Sequence, residues 1–275
     1  MLQGPSKTAV LVAAYRARAD RLCHDPWAAA LAGEEGLALS RRYDAAAPHS
    51  ELWTGVRTAF LDAQVGRFAR PEGCSQVVLL GAGLDTRAAR LARAGVRFFE
   101  VDHPETQADK LARLRALTGY PIDAAAYVPC DFEKDDFLTR LESAGFSVDE
   151  PALLIWEGVA CYLEEPVVRS TVRRIASGTE RRSVLVFDYF HKNLGKSETL
   201  DEKDRASRAM IESLGEPYRF GIRDPLPLLY EEGFRHVRTV SFDEACLSLT
   251  GTYDRARKFH FQSLAICSRT PPDMS

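Results

Sequence analysis

Two glycines and an acid carry the most chemistry in this chain. Gly81-Ala82-Gly83 closes an apolar run that begins at Val77, and Asp102 ends a second run from Val96 to Val101, nineteen residues beyond Gly83. Four consecutive apolar residues read as a buried parallel strand, and a glycine turn after it opens a helix near Thr86. Strand, glycine turn, helix, strand, acid is the order in which an open α/β sheet grips a nucleoside. The glycines let the backbone approach the ligand, and the carboxylate accepts two ribose hydroxyls. A dinucleotide site would place its third glycine at position 86, where this chain has Thr86. Proton-transfer groups near the expected strand ends are Tyr162, Tyr189, His191 and His103. Tyr162 and His191 are the candidate catalytic residues, and His103 reads as a local packing residue.

The elements that must position these groups alternate from residue 76 onward. Strands are expected near 76–80, 96–101, 126–130, 152–156, 183–188, 236–242 and 260–267, with helices near 86–94, 104–117, 134–144, 166–177, 199–214, 224–232 and 251–258. Such alternation implies a mostly parallel sheet covered on both faces, with ligands at the carboxyl ends of the strands. The short segment between the last two strands lets one of them run antiparallel at the edge. Before the first strand, Ser6 is expected to cap a helix through about Asp20, Pro26 to start a short one through Leu31, and Ser50 to cap a long one over 51–69. Residues 1–70 thus read as a helical cap on a core spanning 71–275. The polar stretch 191–222 is too long for a simple turn and reads as a lid or substrate insert. The tail from Arg269 to Ser275 reads as disordered.

Composition narrows the function classes. A net charge of −3 and a pI near 6.1 give no reason to expect a nucleic-acid partner. The arginine-rich stretches are interleaved with apolar residues and read as solvated helix faces. Six scattered cysteines, with no Cys-x-x-Cys and no Cys/His spacing for zinc, read as reduced thiols of a cytoplasmic protein without a metal site. Neither a signal sequence nor an apolar run of membrane-spanning length is visible, so a soluble chain with a small-molecule partner is expected. Oligomeric state leaves no trace in the sequence.

The motifs resemble those of the leucine carboxyl methyltransferases and their bacterial polyketide-type (tetracenomycin-like) O-methyltransferase relatives. The likeness runs through Ser6-Lys7-Thr8-Ala9, His24-Asp25-Pro26, Val56-Arg57-Thr58, Gly81 to Arg87, Glu100-Val101-Asp102-His103-Pro104, Cys130-Asp131-Phe132 and Trp156-Glu157-Gly158-Val159. Gly215-Glu216-Pro217, followed by Phe220-Gly221, is similar to the bacterial branch. The resemblance implies the Rossmann-like methyltransferase fold: a doubly wound, seven-stranded, mostly parallel α/β sheet with a reversed last strand.

It also implies S-adenosyl-L-methionine as methyl donor. Asp102 would accept from the ribose diol, Asp131 from the adenine amino group, and the Phe132 amide would donate to the ring nitrogen beside it. Gly81, Ala82 and Gly83 would form the turn under the nucleoside. Arg57 and Lys7 match donor-contacting positions, Arg57 at the carboxylate, and Glu157 would counter the ammonium. Asp85 and Thr86 would hold the glycine turn and cap the next helix. Methyl transfer from a sulfonium is an in-line displacement in which the protein mainly aligns atoms and excludes water. A carboxylate acceptor needs no base, whereas a phenol or alcohol does. No obligatory base stands out, which favours methyl esterification of a polyketide-like carboxylate in secondary metabolism. A phenolic acceptor, a protein C-terminal carboxylate, a nicotinamide-dependent oxidoreductase and a catalytically silent cofactor-binding protein remain alternatives. The missing third glycine, the helical N-terminal extension and the lack of a hydride-transfer dyad disfavour the oxidoreductase.

Overall fold

The computed structural model describes residues 5–45, 48–191, 202–252 and 261–271. Its frame is a seven-stranded sheet of β1 (Gln76–Leu80), β2 (Arg97–Asp102), β3 (Ala126–Pro129), β4 (Ala152–Trp156), β5 (Val184–Phe190), β6 (His236–Ser241) and β7 (Gln262–Ser268). The strand order is β3-β2-β1-β4-β5-β7-β6. The pairs among β1 to β5 are parallel, and β7 runs antiparallel to both β5 and β6. The reversed strand is therefore enclosed and β6 forms the edge, which corrects the expectation of a reversed edge strand. β7 is the better choice for the interior because all seven of its residues are buried, whereas β6 alternates and leaves His236, Arg238 and Thr239 exposed.

Successive residues of each central strand serve opposite faces. Val78, Leu80, Leu154, Trp156, Leu185 and Phe187 pack beneath α6 (Phe137–Ser143), α7 (Glu165–Gly178) and α9 (Leu226–Glu231). Val77, Leu79, Leu153, Ile155 and Val186 pack beneath α3 (Ser50–Phe68) and α10 (Phe242–Thr250). Both faces are dry, which explains the uninterrupted apolar runs of β1 and β4. α3 is thus a layer helix as well as part of the N-terminal segment: Val56, Leu61, Val65 and Phe68 bury its inner side on the sheet. α1 (Lys7–Arg18) and α2 (Ala28–Tyr43) pack through Ala13, Ala14 and Leu31 against Leu84 and Leu114, the latter on α5 (Pro104–Arg115). The remaining helices are α4 (Arg87–Leu91) and α8 (Glu202–Ser213).

Four local expectations change. Phe242, expected to end a strand, instead opens α10, which stops at Gly251, whose φ of 71° suits a left-handed cap. It begins at Phe242 because Ser241 and Glu244 form a reciprocal capping box. Residues 253–258 lie outside the described residues. Ser50 is the first residue of α3 rather than its cap, since His49 precedes it with φ 66°. Thr86 stands at the N-cap of α4, but its hydroxyl donates to Asp25 at 2.8 Å instead of capping. The helix after Pro26 continues past a break at Gly33 to Tyr43, and Asp25 caps its start by accepting from the Trp27 and Ala28 amides.

Ser6 caps α1 as its sequence implies, accepting from the Ala9 amide at 3.0 Å. At the tail, Arg269 donates to the Thr179 carbonyl and Thr270 to that of Arg181, so the described start of the supposed disorder is anchored. The rest of the tail, 272–275, and the start of the supposed insert, 192–201, lie outside the described residues.

Candidate functional site

A cleft of about 520 Å³ opens at the carboxyl ends of β1, β2, β4 and β5. Gly81 and Gly83 form its floor at φ 68° and 48°, backbone that favours glycine. Space demands glycine as well: a Cβ on Gly81 would stand 2.3 Å from Val159 Cγ2, and one on Gly83 would stand 3.0 Å from Ala9 Cβ on α1. Asp102 accepts from the Gly83 amide and, at 2.6 Å, from the His103 amide, so the acid both closes the turn and faces the cleft. Burial raises its carboxyl, against the pull of those two amides.

Beside the glycine turn lies a continuous buried network in which four arginines, Arg16, Arg57, Arg87 and Arg90, meet five carboxylates, Asp25, Asp62, Asp85, Glu157 and Asp188. Glu157 is held from both sides, by Arg57 Nε at 2.8 Å and by Arg87 Nη1. It thus bridges two guanidinium groups while lining the cleft where the expected ligand ammonium would stand. Burial alone would raise the Glu157 and Asp85 carboxyls. The cations together outweigh burial, Arg87 with Arg57 at Glu157 and Arg87 with Arg16 and Lys110 at Asp85, and both carboxyls lie below the usual range. Asp85 also accepts from the Arg87 amide at 2.6 Å, holding the turn as expected.

Arg57 is fixed more tightly than its sequence context shows. Nε goes to Glu157 and Nη1 to Asp188 Oδ2 at 3.1 Å, and the guanidinium lies 5.4 Å from the Trp53 ring. Asp188 Oδ1 accepts from the Gly158 amide at 2.6 Å. Gly158, at φ 66°, lies so close that a Cβ there would stand 3.3 Å from Arg57 Nη2. Nη2 has no hydrogen-bond partner among the described residues, although Arg57 is only 6% exposed and lines the cleft. A buried guanidinium edge of this kind suits a planar anion.

Asp131 and Phe132 line the opposite side of the floor. Asp131 is bonded to Lys134 and to the Glu133 amide, contacts that outweigh burial and hold its carboxyl below its ordinary value. Phe132 is half-buried, with its ring 6.0 Å from that of Phe137. Lys7 is exposed and is not part of the cleft wall, so the structure does not bring it to the other candidates.

The far end of the cleft is aromatic. Tyr162 and Tyr218 stack with centroids 5.6 Å apart and planes 8° apart, and Phe190 meets Tyr218 edge-on at 5.3 Å. Met210 and Ile211 on α8 complete this wall. Burial pushes the Tyr162 phenol well above its ordinary value. His191 lies outside the wall: its Nε2 is 2.8 Å from Ser263 Oγ and its ring lies beside Tyr189, itself a core residue. His103 lines the glycine-turn side of the cleft, 4.0 Å from Asp131, and its Nδ1 caps α5.

Sequence reasoning gave no role to Asp188, Arg87 or Glu216. Asp188 is the one acid that interrupts the apolar run of β5, a signal that could have found it. Arg87 and Glu216 act through partners far away in sequence, which no local pattern encodes.

The model of the leucine carboxyl methyltransferase family matches residues 7–176. A Mycolicibacterium vanbaalenii protein assigned as an S-adenosyl-L-methionine-dependent methyltransferase is 31% identical over 227 residues, covering 76% of this chain and 73% of the relative. A DUF574 family protein from Streptomyces avermitilis shares the fold with a TM-score of 0.66 at 14% identity, over 94% of this chain and 97% of that one. Magnesium protoporphyrin IX methyltransferase from Synechocystis, solved with bound S-adenosylhomocysteine, superposes with a TM-score of 0.51 at 15% identity, over 86% of this chain and 95% of that one. The sheet order, the glycine turn with its acid, and these matches agree: the chain belongs to the leucine carboxyl methyltransferase family.

Proposed function

We propose that this protein is an S-adenosyl-L-methionine-dependent O-methyltransferase that esterifies a carboxylate of a small molecule. The donor supplies a methyl group activated by its sulfonium. For that donor the residues fit: Asp102 is a diol acceptor on the glycine floor, and the Arg57 Nη2 edge suits its carboxylate. The neighbouring network carries one more carboxylate than arginine, which suits a ligand with one net positive charge.

The observation that carries the acceptor class is the lack of a proton acceptor at the aromatic end among the described residues. Burial holds the Tyr162, Tyr218 and Cys161 side chains far above neutrality, and Glu216 is bonded to Ser6 and Thr8. His191 is turned to Ser263. A carboxylate is already ionised at neutral pH and needs no base, so the chain's task is to orient it and exclude water. Tyr162 serves here as an orienting wall rather than as a base. A cleft of about 520 Å³ is of small-molecule size.

The test is incubation with labelled S-adenosyl-L-methionine and a panel of carboxylic acids and phenols. A base-labile methyl ester and turnover independent of pH between about 6 and 9 are expected. Exclusive formation of alkali-stable aryl ethers, with a rate that rises with pH, would contradict the carboxylate assignment.

A further inference from the structure

The Gly215-Glu216-Pro217 motif lies outside the ionic network, yet its acid is buried in the cleft wall at 9% exposure. Glu216 follows α8 and reaches the first turn of α1, at the other end of the chain. Oε1 accepts from Ser6 Oγ at 2.9 Å and from the Thr8 amide at 3.3 Å, and Oε2 accepts from Thr8 Oγ1 at 2.5 Å. A carboxylate at a helix N-terminus meets both unpaired amides and the positive end of the helix dipole.

Each partner is anchored to a different part of the cleft. On the donor side, the Ser6 amide donates to Thr106 Oγ1 at 3.2 Å, and Ala9 packs directly on Gly83. On the aromatic side, the Glu216 loop carries Tyr218, stacked on Tyr162, and the Arg219 amide donates to the Cys161 carbonyl at 2.7 Å. One carboxylate therefore joins the roof of the glycine turn to the aromatic wall.

We propose that Glu216 is a positioning residue that latches α1 over the donor subsite and sets the rate at which the donor and its demethylated product leave. The proposal rests on the donor reading above and is independent of the acceptor. Leaving the cleft on this side requires the three bonds to Glu216 to open together, which makes release slow while the helix turn stays closed. Lys7 supplies a reporter. It is exposed within the latched turn, so trypsin can cut after it only when that turn locally unwinds.

The experiment uses S-adenosylhomocysteine as probe on the full chain: calorimetry for binding, stopped-flow displacement for release, and mass-resolved trypsin cleavage after Lys7. Glu216→Gln and Thr8→Val are each expected to speed release about tenfold, the loss of one charge-assisted hydrogen bond. The double variant should release no faster than the faster single one. The probe should protect Lys7 in the wild type and fail to do so in the variants. Thr8→Val alone, which leaves the Ser6 cap of α1 in place, gives the same readout if Glu216→Gln does not fold. Unchanged release, multiplicative effects in the double variant, or faster cleavage without faster release would each overturn the latch while leaving the donor assignment intact. A wild-type protein that does not bind the probe would overturn the donor reading and the latch with it.

Discussion

The two ends of the cleft are built on opposite principles. The donor end is ionic and over-determined: Arg57 alone is fixed by Glu157, Asp188 and the Trp53 ring, and Glu157 is shared with Arg87. The acceptor end is held by ring stacking and aliphatic contacts from Tyr162, Tyr218, Phe190, Met210 and Ile211. Buried charges demand specific partners, because each unpaired one is costly. Apolar walls tolerate exchange of side chains of similar volume. The donor end is therefore constrained in residue type, and the acceptor end is free to adapt its shape to a different molecule.

The largest effect should come from breaking the ionic end. Arg87→Leu leaves Asp85, Asp62 and Glu157 without their common partner and should cost about 3–5 kcal/mol of stability, read by chemical denaturation. A loss below about 1 kcal/mol would mean that the network relaxes around the gap. A smaller and different effect is expected at the turn. Asp102→Asn keeps a carbonyl for one of the two amides but loses the charged diol acceptor, and donor affinity should fall by about 1.5–3 kcal/mol, beside a stability loss of about 1–3 kcal/mol from the amide left unpaired. Calorimetry that shows unaltered affinity would remove the ribose role from Asp102.

The third prediction concerns pH. Glu100 is buried against Lys110, and burial pushes its carboxyl up to about 7. Because the folded value lies above the unfolded one, its favourable contribution is complete below about pH 4.5 and is lost as the pH rises through about 7. The stability of the wild type relative to Glu100→Gln should therefore decline across that interval, as followed by thermal melts. A constant difference would show that Glu100 stays ionised throughout. The smallest effect belongs to His191→Asn. With the ring bonded to Ser263 and outside the cleft wall, turnover should stay within about twofold, the scale of a 0.5 kcal/mol perturbation. A loss of a hundredfold would restore His191 as a base and favour a phenolic acceptor.

The same contrast governs what the chain reveals before it is folded. The central strands were readable because a parallel strand buried on both faces is apolar along its length, as β1 is from Val77 and β4 is throughout. The glycine turn and Asp102 were readable because close backbone approach, and an acid that holds the turn, restrict residue type at fixed spacing. Arg57 and Glu157 were singled out one by one, but their relation was not, because the ion pair joins residues 100 positions apart. Lys7 matched a motif yet faces outward, because Ser6 and Thr8 on either side of it take the inward positions toward Glu216. α10 was missed although Ser241 and Glu244 spelled its start, since Phe242 also continued an apolar strand pattern. At the aromatic end Tyr162 and the Gly215-Glu216-Pro217 motif stood out singly, but the stack of Tyr162 on Tyr218 joins residues 56 positions apart and no local pattern announced it.

The central claim is that the ionic end binds S-adenosyl-L-methionine. Isothermal titration of the wild-type protein with S-adenosyl-L-methionine, with NAD and NADP as parallel ligands, tests it most directly. Micromolar, one-to-one binding of the sulfonium alone is expected. Binding of a nicotinamide nucleotide in its place would contradict the account and recast Asp102 as the ribose ligand of an oxidoreductase.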